Sequence, residues 1–256
     1  MCGECINFWR VSLPVLTIQH EDDCPPARVP TWAQAHAVDL DIRRPYAGDP
    51  LPDSITDFAG LVVLGGGMAA YDDAHFPWLP ATRRLIAETV VREVPFLGFC
   101  LGHQLAAIAL GGTVSLRPQG PGSGVAPVNP TAALADDPLF SLLPGDTVSV
   151  EWNRDIVSEL PAGAVTLSRD SAGHPQLVRF GPRAWGLQCH PEVTADVFDT
   201  WVVDHPLPAA VADAERVAAI TAEVHASLPR IERDWAPPME AFFALTAGRE
   251  PDPVER

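Results

Sequence analysis

Short apolar runs alternate with stretches of helical spacing through the first half of the chain. Residues 13–19 predict a first strand, 29–36 have helical character, and 37–42 predict a second strand. A connection rich in Pro, Gly and Asp follows over residues 44–57. Residues 61–64 then predict a buried strand that ends in Gly65-Gly66-Gly67. Residues 80–94 place Leu85, Ile86, Thr89 and Val90 on one helical face. Residues 95–99 predict the next strand and 101–110 the helix after it, stopped by Gly111-Gly112. Strand and helix in alternation predict an α/β fold, a mainly parallel central sheet with helices on both faces.

The second half is richer in turn residues. Runs at 147–151, 165–168 and 176–180 predict a small antiparallel extension added to that core. Residues 185–189 predict a strand that leads straight into His190-Pro191-Glu192. An Ala-rich helix is expected over 207–228, ending near Pro229, with a last helix over 238–247. The expected organisation is an N-terminal extension (1–12), one domain (13–203) and a helical extension (204–256) packed on that domain.

Composition narrows the partners. The 256 residues carry 33 acids against 17 Lys and Arg, a net charge of −16. That balance argues against nucleic acid and against an anionic membrane surface, since both need a basic face. No apolar stretch is long enough for a transmembrane helix, and the first residues lack the basic start of a signal peptide. A cytoplasmic enzyme is expected. The five cysteines, Cys2, Cys5, Cys24, Cys100 and Cys189, are an odd set and do not read as a disulfide framework. Cys2-x-x-Cys5 has the spacing of half a zinc site, but no second pair follows it. Asp72 and Asp73 lack the further ligands a metal needs. No metal and no cofactor is expected.

The candidate chemistry centres on Cys100. Gly98-Phe99-Cys100-Leu101-Gly102 follows an apolar strand and opens a helix. That is the pattern of a nucleophile elbow, a strained turn that exposes its central side chain. A helix N-terminus beside the sulfur favours the thiolate. A thiol nucleophile needs a base, and the base needs an orienting group. His190 and Glu192, two residues apart on an extended segment stiffened by Pro191, point the same way and supply both. The backbone N–H of Leu101 and of Gly66, in the loop ending the preceding strand, are the expected oxyanion donors. Each element alone has a plainer reading: a packed cysteine, a loop, a surface turn. His103 reads as a helix-start residue, Cys189 as sheet packing, and Trp78, Trp152, Trp185 and Trp201 as core or pocket wall. Together, each at a strand end, the elements specify acyl transfer through sulfur.

These segments give the chain its likeness to a known family. It resembles the class I (triad-type) glutamine amidotransferases, most of all the free-standing group related to the glutaminase domain of GMP synthase. The likeness rests on Leu61-Val62-Val63-Leu64-Gly65-Gly66-Gly67-Met68, Tyr71-Asp72-Asp73, Pro77-Trp78-Leu79, the elbow through Gln104, Leu110-Gly111-Gly112-Thr113-Val114, Leu160-Pro161-Ala162-Gly163-Ala164 and the segment around His190-Pro191-Glu192. It covers about residues 13–203. The resemblance implies a flavodoxin-like sheet and a Cys100-His190-Glu192 triad. It also implies hydrolysis of the glutamine side-chain amide through a glutamyl thioester, a substrate contact at Gln104, and a synthetase partner that receives the ammonia. No nucleotide-binding motif is visible for the chain to activate an acceptor itself.

Three places depart from the family pattern. Arg117-Pro118-Gln119-Gly120-Pro121-Gly122 lacks the usual acid, Trp152-Asn153-Arg154-Asp155 lacks a usual His, and Cys189 replaces a usual Phe. All lie around the pocket rather than in the triad, so they bear on which amide is accepted. A γ-glutamyl amide hydrolase acting without a partner, and a non-catalytic regulatory homologue, are the alternatives they raise. Arg154 is placed to meet a different carboxylate.

Overall fold

The computed structural model describes residues 13–207 and 213–249. In chain order, β1 (Val15–Ile18), α1 (Val29–Gln34), β2 (Leu40–Arg43), β3 (Gly60–Val63), α2 (Leu79–Val91), β4 (Phe96–Phe99) and α3 (Leu101–Ala109) alternate as the hydrophobic pattern predicts. There follow β5 (Thr113–Leu116), β6 (Gly122–Pro127), β7 (Asn129–Pro130), β8 (Val148–Asn153), β9 (Asp155–Glu159), β10 (Val165–Arg169), β11 (Pro175–Gly181) and β12 (Ala184–Leu187). Two helices close the described chain, α4 (Ala195–Asp204) and α5 (Ala214–Thr246).

The main sheet has the order β2-β1-β3-β4-β12-β11-β10-β7. The first five strands run parallel and the last three antiparallel. Successive strand residues face opposite sides of the sheet. Val62, Leu97, Phe99 and Trp185 pack on one face with side chains from α1, α4 and α5. Leu61, Val63, Phe96 and Val178 pack on the other with side chains from α2 and α3. Both faces are therefore covered, which is why the central strands β3, β4 and β12 are buried and free of polar side chains at every position, whereas the edge strand β2 carries Asp41 and Arg43. The order starts from β1 in both directions, to β2 on one side and to β3 on the other. That switch point opens a crevice at the carboxyl ends of the strands.

The structure corrects the expected helical ends. Proline at 229 does not stop a helix there, and no separate helix starts at 238. One helix, α5, runs through Pro229, Pro237 and Pro238, and residues 208–212 of the expected earlier start lie outside the described residues. An interior proline costs about 3 kcal/mol in an isolated helix. Here Val224, Leu228, Ile231, Trp235, Met239 and Phe242 form a buried stripe at helical spacing, and fully burying one such side chain returns about 1.5–3 kcal/mol. Tertiary packing therefore overrides the local breaker. α4, absent from the predicted elements, lies where Val197, Phe198 and Trp201 share a buried face. The predicted strand at 147–151 is β8, but it pairs with β6 in a separate two-stranded sheet rather than joining the main one. Cys2 and Cys5 lie outside the described residues.

Because α5 shares one apolar cluster with the central sheet, it is expected to behave as part of the core. Trp235 is fully buried and its indole N–H donates to the Val148 carbonyl at 2.9 Å. Trp235→Ala should cost about 3–5 kcal/mol of unfolding free energy. Denaturant titration checks this, and a loss below about 1 kcal/mol would mean that the helix merely rests on the domain.

Candidate active site

Three parallel strands deliver the predicted residues to one place. β4 lies between β3 and β12, with Gly98 paired to Val63 on one side and to Gly186 on the other, and Phe99 paired to Leu187. The strands thus end at the same level. The residues immediately beyond them, Gly65-Gly66-Gly67, Cys100 and Gln188 to Glu192, converge on the carboxyl edge.

The turn at Cys100 is strained, with φ 44° and ψ −99°. A non-glycine residue held there costs about 1–3 kcal/mol. Its N–H donates to the Leu187 carbonyl at 2.7 Å, and its carbonyl accepts from the Gln104 N–H at 3.0 Å. The flanking glycines are required by close approach. A Cβ on Gly98 would sit 2.6 Å from the Gly102 carbonyl carbon, and one on Gly102 would collide with the Val63 carbonyl. The sulfur stands at the N-terminus of α3.

His190 and Glu192 meet as the tripeptide spacing predicts. His190 Nδ1 and Glu192 Oε1 are 2.8 Å apart, and both side chains are buried. Burial alone would lower the His190 pKa. The Glu192 carboxylate, Cys100 and the hydrogen bonds to both outweigh it and push the pKa up to about 10. Trp201 sets its ring edge-on to the imidazole, with centroids 4.6 Å apart, and ties its own N–H to the Asp23 carbonyl at 2.7 Å.

The glycine loop lies flush against this pair. A Cβ on Gly65 would be 3.1 Å from His190 Cε1 and 3.7 Å from Cys100 Cβ. Gly66 abuts Leu101, whose Cδ2 a Cβ would meet at 2.8 Å, so the two expected oxyanion donors are neighbours. The Gly67 N–H is already taken by the Glu21 carboxylate, which leaves Gly66 as the candidate. A cavity of about 260 Å³ opens over the sulfur, lined by Cys100, Gln104, Asn153, Arg154, His190 and Trp201 among others.

Gln104 lines that cavity, but its side-chain N–H groups are spent within the protein, on the Asp155 carbonyl at 3.0 Å and Gln188 Oε1 at 3.2 Å. Gln188 in turn donates to Cys100 Sγ at 3.4 Å. The sequence reading missed Gln188. Its signal was present, since it stands two residues before His190 and so shares its side of the extended segment. Arg154 lines the cavity and donates to the Gly67 carbonyl at 2.8 Å. The loop without an acid gains one in space: Glu151 of β8 lies beside Gly122, paired to Arg117 at 3.5 Å.

The plainer readings fit their residues. Asp72 contacts the His75 ring and Asp73 pairs with Arg83. Cys189 is buried, and burial pushes its thiol up to about 12. His103 stands in the first turn of α3, as expected of a helix-start residue; it is fully buried beside Phe180, and burial pushes its pKa down to about 3.

Comparisons with known proteins place the chain as a whole. The family described as Glutamine amidotransferase class-I matches residues 38–207. Over 198 residues the chain is 28% identical to the glutamine amidotransferase-like protein YfeJ of Salmonella typhimurium, covering 76% of this chain and 82% of that one. It is 35% identical to a glutamine-hydrolyzing GMP synthase subunit of Halobacterium salinarum, over 56% of this chain and 70% of that one. A crystal structure of a glutamine amidotransferase from Methylobacillus flagellatus superposes with a TM-score of 0.80 at 29% identity, over 95% of this chain and 99% of that one. One from Thermotoga maritima gives 0.78 at 25% identity, over 92% and 98%. With most of its length matched, the chain belongs to the class I glutamine amidotransferase family.

Proposed function

We propose that the chain hydrolyses a glutamine-type side-chain amide through Cys100, His190 and Glu192. One observation carries the proposal: three in-register strands bring a strained cysteine, a buried His–Glu pair and a glycine loop to the same edge. Cys100 Sγ attacks the amide carbon. The oxygen that gains charge meets the N–H groups of Gly66 and Leu101. Protonated His190 gives its proton to the leaving nitrogen, and ammonia departs from a thioester. Water then attacks with its proton passing to His190, and the free acid and thiolate are restored. Glu192 orients the imidazole and stabilises its charged form, and the Gln188 amide supports the thiolate.

Ammonia delivered to a partner synthetase is the reading supported by the relatives named as glutamine-hydrolyzing GMP synthase subunits. The crevice is built for free glutamine or another γ-glutamyl amide, and the acceptance of each is measurable. Purified protein should release glutamate from free glutamine, with turnover falling by about three orders of magnitude or more in Cys100→Ser. If glutamine is inert while γ-glutamyl amines are cleaved, the protein is a partner-free amide hydrolase. Near-normal turnover in Cys100→Ser would remove the nucleophile assignment.

The raised His190 pKa sets a pH dependence with a definite sign. The folded protein holds this proton more tightly than an unfolded chain, where the ordinary value is 6.5. The ion pair therefore stabilises the fold fully below about pH 6.5 and loses that contribution as pH rises through about 10. Catalysis should fall along the same alkaline limb as the general acid is lost. Glu192→Gln removes a nearby opposite charge and should move that limb of kcat/KM down by about one unit or more. A limb that stays in place would mean that Glu192 does not hold the imidazolium.

A further inference from the structure

The loop after β1 carries Glu21, Asp23 and Cys24 to the mouth of the crevice. Their side-chain ligand atoms all lie within 4.8 Å of one another. His205, just past the end of α4, approaches this trio from the side of its two carboxylates. Its Nε2 is 2.6 Å from Asp23 Oδ2 and 3.8 Å from Glu21 Oε1, and Cys24 Sγ is 3.3 Å from the same Glu21 oxygen. Cys24 and His205 both line the cavity that holds Cys100. We propose that Glu21, Asp23, Cys24 and His205 form a divalent cation site of the zinc type at the mouth of the crevice.

The donor set suits a borderline-soft cation: one thiol, one imidazole and two carboxylates. The spacing suits it too. With metal–donor bonds of about 2.0–2.3 Å, a tetrahedral zinc separates its donors by about 3.4–3.6 Å. The contacts of Glu21 with Cys24 and His205 already lie on that scale. The His205–Asp23 hydrogen bond must lengthen by about 1 Å and the imidazole must close on Cys24, both by side-chain rotation at the partly exposed rim. Binding displaces the Cys24 thiol proton, since the thiolate is the ligand.

A metal here cross-links the β1 loop to the end of α4. Glu21 also holds the Gly67 N–H, so occupancy stiffens the glycine loop that flanks Cys100. Any effect on turnover rests on the thiol chemistry proposed above, whereas binding does not. The test therefore reads binding alone, in full-length protein carrying Cys100→Ala, Cys2→Ser and Cys5→Ser so that no other candidate thiol site competes. Titration with Co2+ at neutral pH should give one saturable site in the micromolar range or tighter. Its spectrum should show tetrahedral visible bands and a sulfur-to-cobalt charge-transfer band, both abolished by Zn2+. Adding Cys24→Ser should remove the charge-transfer band, and adding His205→Gln should weaken binding by about tenfold or more. Thermal melting without metal, unchanged from the parent, shows that each variant is folded. The proposal is overturned if no saturable binding appears, if the charge-transfer band survives Cys24→Ser, or if folded His205→Gln binds as the parent does.

Discussion

The site depends on one backbone constraint, the left-handed turn at Cys100. An L residue at φ 44° is unstable on its own. It persists because the surroundings leave no alternative. The Leu187 carbonyl takes the Cys100 N–H, the first turn of α3 takes its carbonyl, and Gly98 and Gly102 let the turn nest against the Val63 backbone. These contacts come from β12, α3 and β3. The strain is thus borne by the parallel sheet as a whole, and the rigid register of three strands aims the sulfur at His190 rather than into the core.

The electrostatics follow from that placement. A histidine buried as deeply as His190 would ordinarily give up its proton. The two fully buried histidines without a carboxylate partner, His20 and His103, are both pushed down to about 3 by burial. His190 goes the other way because Glu192 sits 2.8 Å from its ring and Cys100 lies on its other side. The comparison within one molecule shows which effect wins: a well-placed carboxylate together with the cysteine outweighs the loss of water. Gln188, just beyond β12, then donates to the sulfur at the end of β4, so a side chain from one strand end serves the candidate nucleophile at another.

What could be read in the sequence was what is local. The elbow, the glycine triplet and His190-Pro191-Glu192 are short motifs whose geometry is set by their own residues, and β1, β3 and β4 are apolar runs too plain to misread. The errors occur where distant packing decides. Pro229 looks like a stop until the buried stripe from Val224 to Phe242 is seen against the sheet. The strand containing Glu151 shows its partner only through β6, nearly thirty residues earlier. Glu21, Asp23, Cys24 and His205 come from segments that no spacing rule connects. α4 is a different case, since Val197, Phe198 and Trp201 carried helical spacing that the neighbouring His190 motif overshadowed.

The central claim is that Cys100 is an armed nucleophile for a γ-glutamyl carbonyl, and covalent capture measures it most directly. A thiol-reactive glutamine analogue should add one label per chain, found by peptide mass mapping on Cys100, with Cys24 and Cys189 unmodified. Excess glutamine should protect, and Cys100→Ala should not be labelled. Label spread over the other cysteines, or labelling of Cys100 that glutamine and γ-glutamyl amides fail to slow, would contradict the account.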